Sequence, residues 1–216
     1  MLIPKIPVAK EGYPFIALAA LLTLVAALLA WKCLAVIFSL TTLFVVYFFR
    51  DPERIIAAHD DKTVLCPADG RVIAVDQLDD CPFISGKAIR ISVFMNVFNV
   101  HVNRAACSGR VEKILYKPGM FFAADDKKAA LENESCATVL RLASEQEVAM
   151  VQIAGLIARR IVCWLQTGDE VKAGERFGLI RFGSRVDIYL PADSQVTVFP
   201  GGKKVKAGQS VLAHLA

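Results

Sequence analysis

At 216 residues the chain is long enough to bury a sizeable core in one or two domains. The formal net charge of +4 is shared evenly between the N-terminal 49 residues and the rest. That balance excludes the dense basic stripe of a nucleic-acid binder; Lys203, Lys204 and Lys206 read as a solvated turn, with at most a weak pull toward anionic lipid headgroups.

The 55% hydrophobic fraction is high for a soluble protein, and the excess sits at one end, where residues 14–49 carry a single charge, Lys32. Phe15–Trp31 and Cys33–Phe49 are apolar runs, each about 25 Å long as a helix and at the short end for crossing a bilayer. The apolar region is too long for a signal peptide and no small-residue cleavage site follows it. One long tilted span would bury Lys32 near mid-membrane at high cost. A helical hairpin instead puts Lys32 at the far headgroups and returns Arg50 and Arg54 to the side of Lys5 and Lys10. By the positive-inside rule both ends are then cytoplasmic. The expected organisation is a membrane anchor over residues 1–50 and a β-rich domain over 51–216 on the cytoplasmic side of the cell membrane.

From Thr63 onward, short β-branched runs alternate with Gly, Pro and Asp, the pattern of strands and turns. Two internal echoes appear. Asp69-Gly-Arg-Val-Ile-Ala-Val75 resembles Ser108-Gly-Arg-Val-Glu-Lys-Ile114, and Gly168-Asp-Glu-Val-Lys-Ala-Gly174 resembles Gly202-Lys-Lys-Val-Lys-Ala-Gly208. Such paired hairpins resemble those of lipoyl and biotinyl carrier domains. The fold class expected is therefore mainly β (α+β), a flattened barrel or sandwich, with either a helix or a plain loop around Asp125–Glu132. Six scattered cysteines without a C-x-x-C pair or a partnering histidine read as free thiols in a reducing compartment, and no metal site is expected.

Three residues carry candidate chemistry. Asp69 lies in a Pro-x-Asp-Gly turn, where an Asx hydrogen bond alone accounts for it. Ile91–Asn103 reads as one strand that sets Asn99, His101 and Asn103 on one face, His101 being either a structural histidine or a titrating one. Ser184 opens a run in which Val186, Ile188 and Leu190 share its core-facing side, while Arg185, Asp187 and Tyr189 face outward. It is either a small strand residue or a nucleophile in a dry pocket, and Gly183 before it tolerates strain.

Taken in order, Phe49-Arg-Asp-Pro-Glu-Arg54, Pro67-Ala-Asp-Gly70, Phe98-Asn-Val-His-Val-Asn-Arg104, Asn133-Glu134, Gln152-Ile-Ala-Gly-Leu-Ile-Ala-Arg-Arg-Ile161 and Phe182-Gly-Ser-Arg185 resemble the short form of the phosphatidylserine decarboxylase proenzyme family over nearly the whole chain. Long-form members carry Leu-Gly-Ser-Thr at the cleavage site. The resemblance implies a carboxy-lyase acting on phosphatidylserine in the membrane and releasing phosphatidylethanolamine and carbon dioxide. It implies autocatalytic cleavage at Gly183-Ser184 into a β chain (1–183) and an α chain (184–216) that stay associated, with a homo-oligomer left open. The cofactor would be a pyruvoyl group formed from Ser184, which takes the substrate amine as a Schiff base. His101 would be the general base and acid, and Asp69 would orient or assist it. Arg159 and Arg160 have the chemistry to hold a lipid phosphate but read rather as surface charges or sheet-edge residues and are not counted as sites. Two other classes compete: a membrane-anchored lipoyl-like adaptor, though no lone hairpin-tip lysine is present, and a membrane serine hydrolase using Asp69, His101 and Ser184 in one uncut chain.

Overall fold

The computed structural model describes residues 7–57, 60–120, 122, 132–155, 160–181, 183–201 and 204–216. All but the last residue of the segment Asp125–Glu132 lies outside them, as do Arg159, Phe182 and the first two residues of the Gly202–Gly208 echo. The chain divides into two compact units, Met1–Glu53 and Arg54–Ala216.

In the first unit a short 3-10 helix, Lys10–Gly12, leads into α1 (Tyr13–Leu28), and α2 (Lys32–Phe48) returns alongside it. Pro14 sits in the first turn of α1, where its missing N–H costs nothing. The reversal at Leu29–Trp31 uses Ala30 in a left-handed conformation (φ 55°). The helices meet through the buried small residues Ala19 and Ala26 and through the Thr23 and Thr42 hydroxyls, 3.1 Å apart. Ala9 N–H donates to Phe49 O and Asp51 N–H to Pro7 O, closing the base of the hairpin. The chain therefore turns at Lys32 instead of continuing as one long helix. Lys10–Leu28 is long and apolar enough to cross a membrane, with a mean hydropathy of 1.8, and Lys32–Phe48 is a shorter apolar helix.

The second unit is built of β1 (Thr63–Leu65), β2 (Gly70–Leu78), β3 (Ala88–Met95), β4 (Val102–Arg104), β5 (Gly109–Lys117), β6 (Ser135–Arg141), β7 (Glu147–Ala154), β8 (Ile161–Cys163), β9 (Glu170–Val171), β10 (Arg176–Ile180), β11 (Ser184–Pro191), β12 (Gln195–Val196), β13 (Lys204–Val205) and β14 (Val211–His214). Eight strands form one curled antiparallel sheet in the order β13-β2-β3-β11-β7-β6-β5-β9. The other two sheets are β1-β14-β12 and β4-β10-β8. The larger hydrophobic cluster joins Val72, Val93, Val186 and Ile188 of the large sheet to Val64, Leu212 and Ala213 of one small sheet and Phe177 and Ile180 of the other. The mainly β expectation holds.

The echoes account for the order of the large sheet, which reads the same from both edges. β2 pairs with β13 as β5 pairs with β9, through Val205↔Gly70 and Gly109↔Val171. Each long strand is irregular at the same point, between Val72 and Ala74 and between Val111 and Lys113. The halves differ at their inner strands. β6 returns directly as β7 through a tight turn closed by Leu142 N–H to Gln146 O. The neighbour of β3, by contrast, is β11, which arrives only after the excursion through β4–β10.

Two sequence expectations are corrected. Ile91–Asn103 is not one strand, because Asn96 and Asn99 cap each other's backbone: Asn96 N–H donates to Asn99 Oδ1, Phe98 N–H to Asn96 Oδ1 and Asn99 N–H to Asn96 O. Such side-chain capping competes with the ladder, so β3 ends at Met95 and β4 begins anew at Val102. Arg185, Asp187 and Tyr189 do lie opposite Ser184 on β11 but do not face solvent. All three are buried: Tyr189 packs in a second cluster with Cys81, Phe83 and Ile84, and Arg185 and Asp187 pair with each other, Asp187 being fully buried. The alternating pattern reports which face a residue takes, not whether that face is covered.

Candidate active site

Ser184 is the first residue of β11, with Met95 of β3 opposite on one side and Ala154 of β7 on the other. It is fully buried, and its Oγ has no hydrogen-bond partner among the described residues. A buried hydroxyl without a partner costs roughly 1–3 kcal/mol, so its retention calls for a reason. Gly183, immediately before it, has φ +64°, which L side chains rarely adopt, and a Cβ there would meet nothing within 4 Å. Conformation, not crowding, selects glycine at this bond.

Both strand neighbours of Ser184 are held by buried amides. Gln152 Nε2 donates to Asn103 Oδ1 at 2.9 Å, and Asn103 Nδ2 lies 3.7 Å from Met95 Sδ. Asn133 Nδ2 donates to Ala154 O at 2.7 Å and to Phe122 O, while its Oδ1 accepts Phe122 N–H. Sequence reading noted Asn103 only as a neighbour of His101, and Gln152 and Asn133 only as motif letters. A usable signal was present, since a carboxamide inside an apolar strand must find a partner.

His101 is fully buried just ahead of β4. Its carbonyl accepts Ile180 N–H from the end of β10, the strand that turns into β11. His101 is thereby tied to the last residue of β10, four positions before Ser184 in the chain. Nδ1 lies 3.0 Å from the Asn99 carbonyl. A carbonyl only accepts, so Nδ1 carries the hydrogen and Nε2 of the neutral ring carries the basic lone pair.

Asp69 stands directly before β2, whose first residue lies against Phe94 and Met95, one strand beyond the Met95–Ser184 pair. Among the described residues its carboxylate makes no local turn bond of the kind the sequence suggests. Arg54 grips it with two hydrogen bonds, Nη1 to Oδ1 at 2.6 Å and Nη2 to Oδ2 at 2.8 Å, and Ala207 N–H donates to Oδ1 at 2.9 Å.

On the far face of β11 a buried ion pair runs between Arg185 and Asp187, at 2.6 and 2.9 Å, and Arg185 also donates to Ser92 Oγ. Burial pushes the Asp187 carboxyl above its ordinary value while the Arg185 guanidinium pulls it down. No cluster of three His, Cys, Asp or Glu residues converges as a metal site among the described residues.

The phosphatidylserine decarboxylase family model matches residues 41–213. The chain is 53% identical to a phosphatidylserine decarboxylase proenzyme of Desulfotalea psychrophila, with all of both chains covered. It is 49% identical to that of Geotalea uraniireducens, covering 97% of each chain, and 50% identical to that of Pelobacter propionicus at the same coverage. The run of motifs from Arg50 to Arg185, the orphan serine beside Gly183 and these full-length likenesses agree: the chain belongs to the phosphatidylserine decarboxylase family.

Proposed function

We propose that this protein removes carbon dioxide from phosphatidylserine to give phosphatidylethanolamine, after cutting its own backbone at Gly183-Ser184. The observation that supports the self-cleavage is the Ser184 hydroxyl, buried without a hydrogen-bond partner among the described residues and next to a glycine at φ +64°. In this reading Ser184 Oγ attacks the Gly183 carbonyl as the Gly183–Ser184 C–N bond breaks, leaving an ester on Oγ and a free amine on Ser184. His101 Nε2 accepts the hydroxyl proton. Removal of the Ser184 α-proton then expels the Gly183 carboxylate, and the dehydroalanine left behind takes up water and loses ammonia to become a pyruvoyl group.

The site fits that group. Its backbone is anchored on both sides through Met95 and Ala154, and the apolar surroundings of β11 exclude water. When formed, the pyruvoyl carbonyl supplies an electron sink for decarboxylation of an amine-bearing acid. His101 is assigned the proton transfers at Ser184 and at the substrate, its ring fixed by the Nδ1 hydrogen bond to Asn99 O. Asp69 is assigned the supporting role of orienting or assisting His101, as a carboxylate fixed by Arg54 and Ala207.

The α chain, 184–216, would contribute β11 to the middle of the large sheet, β13 to its edge, and β12 and β14 to a small sheet. Those ladders support lasting association of the two fragments. The apolar helical hairpin would hold the enzyme in the cell membrane, with both chain ends on the cytoplasmic side, where a diacyl lipid is met in the plane of the bilayer. Family membership favours neither the adaptor nor the hydrolase. A denaturing intact-mass spectrum tests the reading. Two fragments that meet at 183/184, the smaller lighter by one ammonia than a peptide starting at Ser184, are expected; a single stable 23.6 kDa chain would sink it.

A further inference from the structure

The two halves of the large sheet contain the same hydrogen bond made by different chemistry. In one half Ala207 N–H donates to Asp69 Oδ1 at 2.9 Å. In the other, Ala173 N–H donates to Ser108 Oγ, also at 2.9 Å. Both acceptors precede the Gly-Arg-Val that opens a long strand, and both donors belong to a Val-Lys-Ala-Gly turn. The two turns abut, with Ile56 packed against Gly174 and Gly208 together. Capping the turn therefore needs only a neutral hydroxyl, as Ser108 demonstrates.

Asp69 brings to the same place a charge that the cap does not require. Ion pair and surroundings are nearly dry, the Arg54 and Asp69 side chains being 8% and 12% exposed. Removing two charges from water costs several kcal/mol per ion before their attraction offsets it, so a fold selected for stability alone has little use for such a pair where a serine serves. Arg54 is itself carefully seated. Its Nη1 also donates to Ala207 O at 2.8 Å, and three residues on Ala57 N–H donates to Gly208 O. The two hydrogen bonds fix the plane of the Asp69 carboxylate and, with Ala207, fill three of its roughly four acceptor positions. Its orientation is thereby determined, and among the described residues one acceptor position on Oδ2 remains for a further donor.

We propose that Arg54 is a positioning residue for self-processing: it holds the Asp69 carboxylate in one orientation for the reaction at Ser184, beyond the turn cap that Asp69 shares with Ser108. The proposal rests on the reading that Asp69 acts in that reaction. After cleavage the same cluster would bridge the fragments, since Arg54 and Asp69 lie in 1–183 and Ala207 in 184–216.

The test uses the full-length protein in detergent, with self-cleavage followed by denaturing gel and mass, and thermal melting as the check on folding. Asp69→Ser keeps a cap of the Ser108 kind but leaves the Arg54 guanidinium without its carboxylate, so it is expected to stay folded, to melt below the parent and to remain uncut. Arg54→Ala is expected to slow cleavage at least tenfold, and added ethylguanidinium to restore part of the rate there but none in Asp69→Ser. Arg54→Lys keeps the charge without the paired geometry and is expected to fold and to cleave several-fold more slowly. Normal cleavage by Asp69→Ser would remove Asp69, and Arg54 with it, from the reaction. An uncut Asp69→Ser beside normal cleavage in Arg54→Ala would overturn the Arg54 proposal alone. Loss of cleavage in Arg54→Ala with a lowered melting temperature and no response to ethylguanidinium would reduce Arg54 to a structural role. Should Arg54→Ala fail to fold, Arg54→Lys decides, and a parental rate there overturns the proposal.

Discussion

Gln152 on β7 and Asn103 on β4 share a 2.9 Å hydrogen bond that ties the large sheet to a small one, directly beneath the strand that carries Ser184. Both side chains are fully buried. Asn103→Ala leaves the Gln152 amide without that acceptor and is expected to destabilise the fold by about 1–3 kcal/mol. Because Asn103 also touches Met95, the strand partner of Ser184, cleavage should slow as well. Asn103→Ala/Gln152→Leu, with both polar partners gone, is expected to recover much of the stability but not the cleavage rate. Denaturant titration beside a cleavage time course checks this; equal recovery of both would make the pair purely structural.

The proposed cleavage at Gly183-Ser184 makes separate demands on backbone and base. Gly183→Ala meets no steric obstacle but must hold a left-handed conformation, at about 1–2 kcal/mol. It is expected to fold and to cleave more slowly. His101→Ala is expected to leave the precursor uncut, because the lone pair on Nε2 goes with the ring. Ser184→Ala should give one inactive chain. Cleavage of His101→Ala at the parental rate would take the base role away from His101.

Arg185 and Asp187 give a pH signature on the opposite face of β11. Burial already holds the Asp187 carboxyl above its ordinary value, with Arg185 as the opposing pull. Arg185→Met removes that pull, so the native state binds the Asp187 proton still more tightly than the unfolded chain does. The loss of stability is then small below the unfolded carboxylate value of about 3.9 and grows as pH rises through the folded-state value. Near neutral pH it should reach roughly 3–5 kcal/mol. Urea unfolding in the uncut Ser184→Ala background, at about pH 5 and about pH 7.5, measures it. A loss that shrinks as pH rises would contradict the buried-charge account.

The cysteines separate by environment. Burial pushes the Cys66 and Cys107 thiols up to about 12. The Cys136 thiol hydrogen-bonds to the sulfur of Cys163, which lowers Cys163 and raises Cys136. Iodoacetamide at neutral pH should therefore alkylate Cys163 well before Cys66, Cys107 or Cys136, and Cys136→Ala should slow the reaction at Cys163. Peptide mapping reads the order directly. Equal rates at Cys163 and Cys66 would contradict it.

Much of this architecture is written locally. Strand punctuation, the apolar hairpin around Lys32 and the paired Gly-x-x-Val-x-x-Gly echoes all depend on residues within a few positions of one another. What local pattern did not convey were relationships across the sheet. Nothing near Arg54 announces Asp69, fifteen residues on, or Ala207 in the last turn of the chain. The Asn96–Asn99 cap that splits one expected strand into two is local, but it competes with a strong β-branched run, and only packing decides the contest. The burial of Tyr189 depends on the segment around Phe83 packing against β11, and that of Arg185 and Asp187 on their pairing inside the fold, neither of which alternation can register. Ser184, His101 and Asp69 were singled out through motif resemblance; the amides that hold their neighbours are tertiary facts.

The place of β11 between β3 and β7 has a consequence for the life history of the protein. A precursor collapses as one chain, and tethering keeps β11 at high local concentration near its slot. Once the bond at 183/184 is cut, that advantage is gone, and a denatured mature enzyme would have to reassemble from two polypeptides by collision. Its central strand would then be the piece that must find its way back in. Maturation would thus act as a ratchet: the fold is reached once, as a single chain, and is afterwards kept by slow unfolding more than by ready refolding.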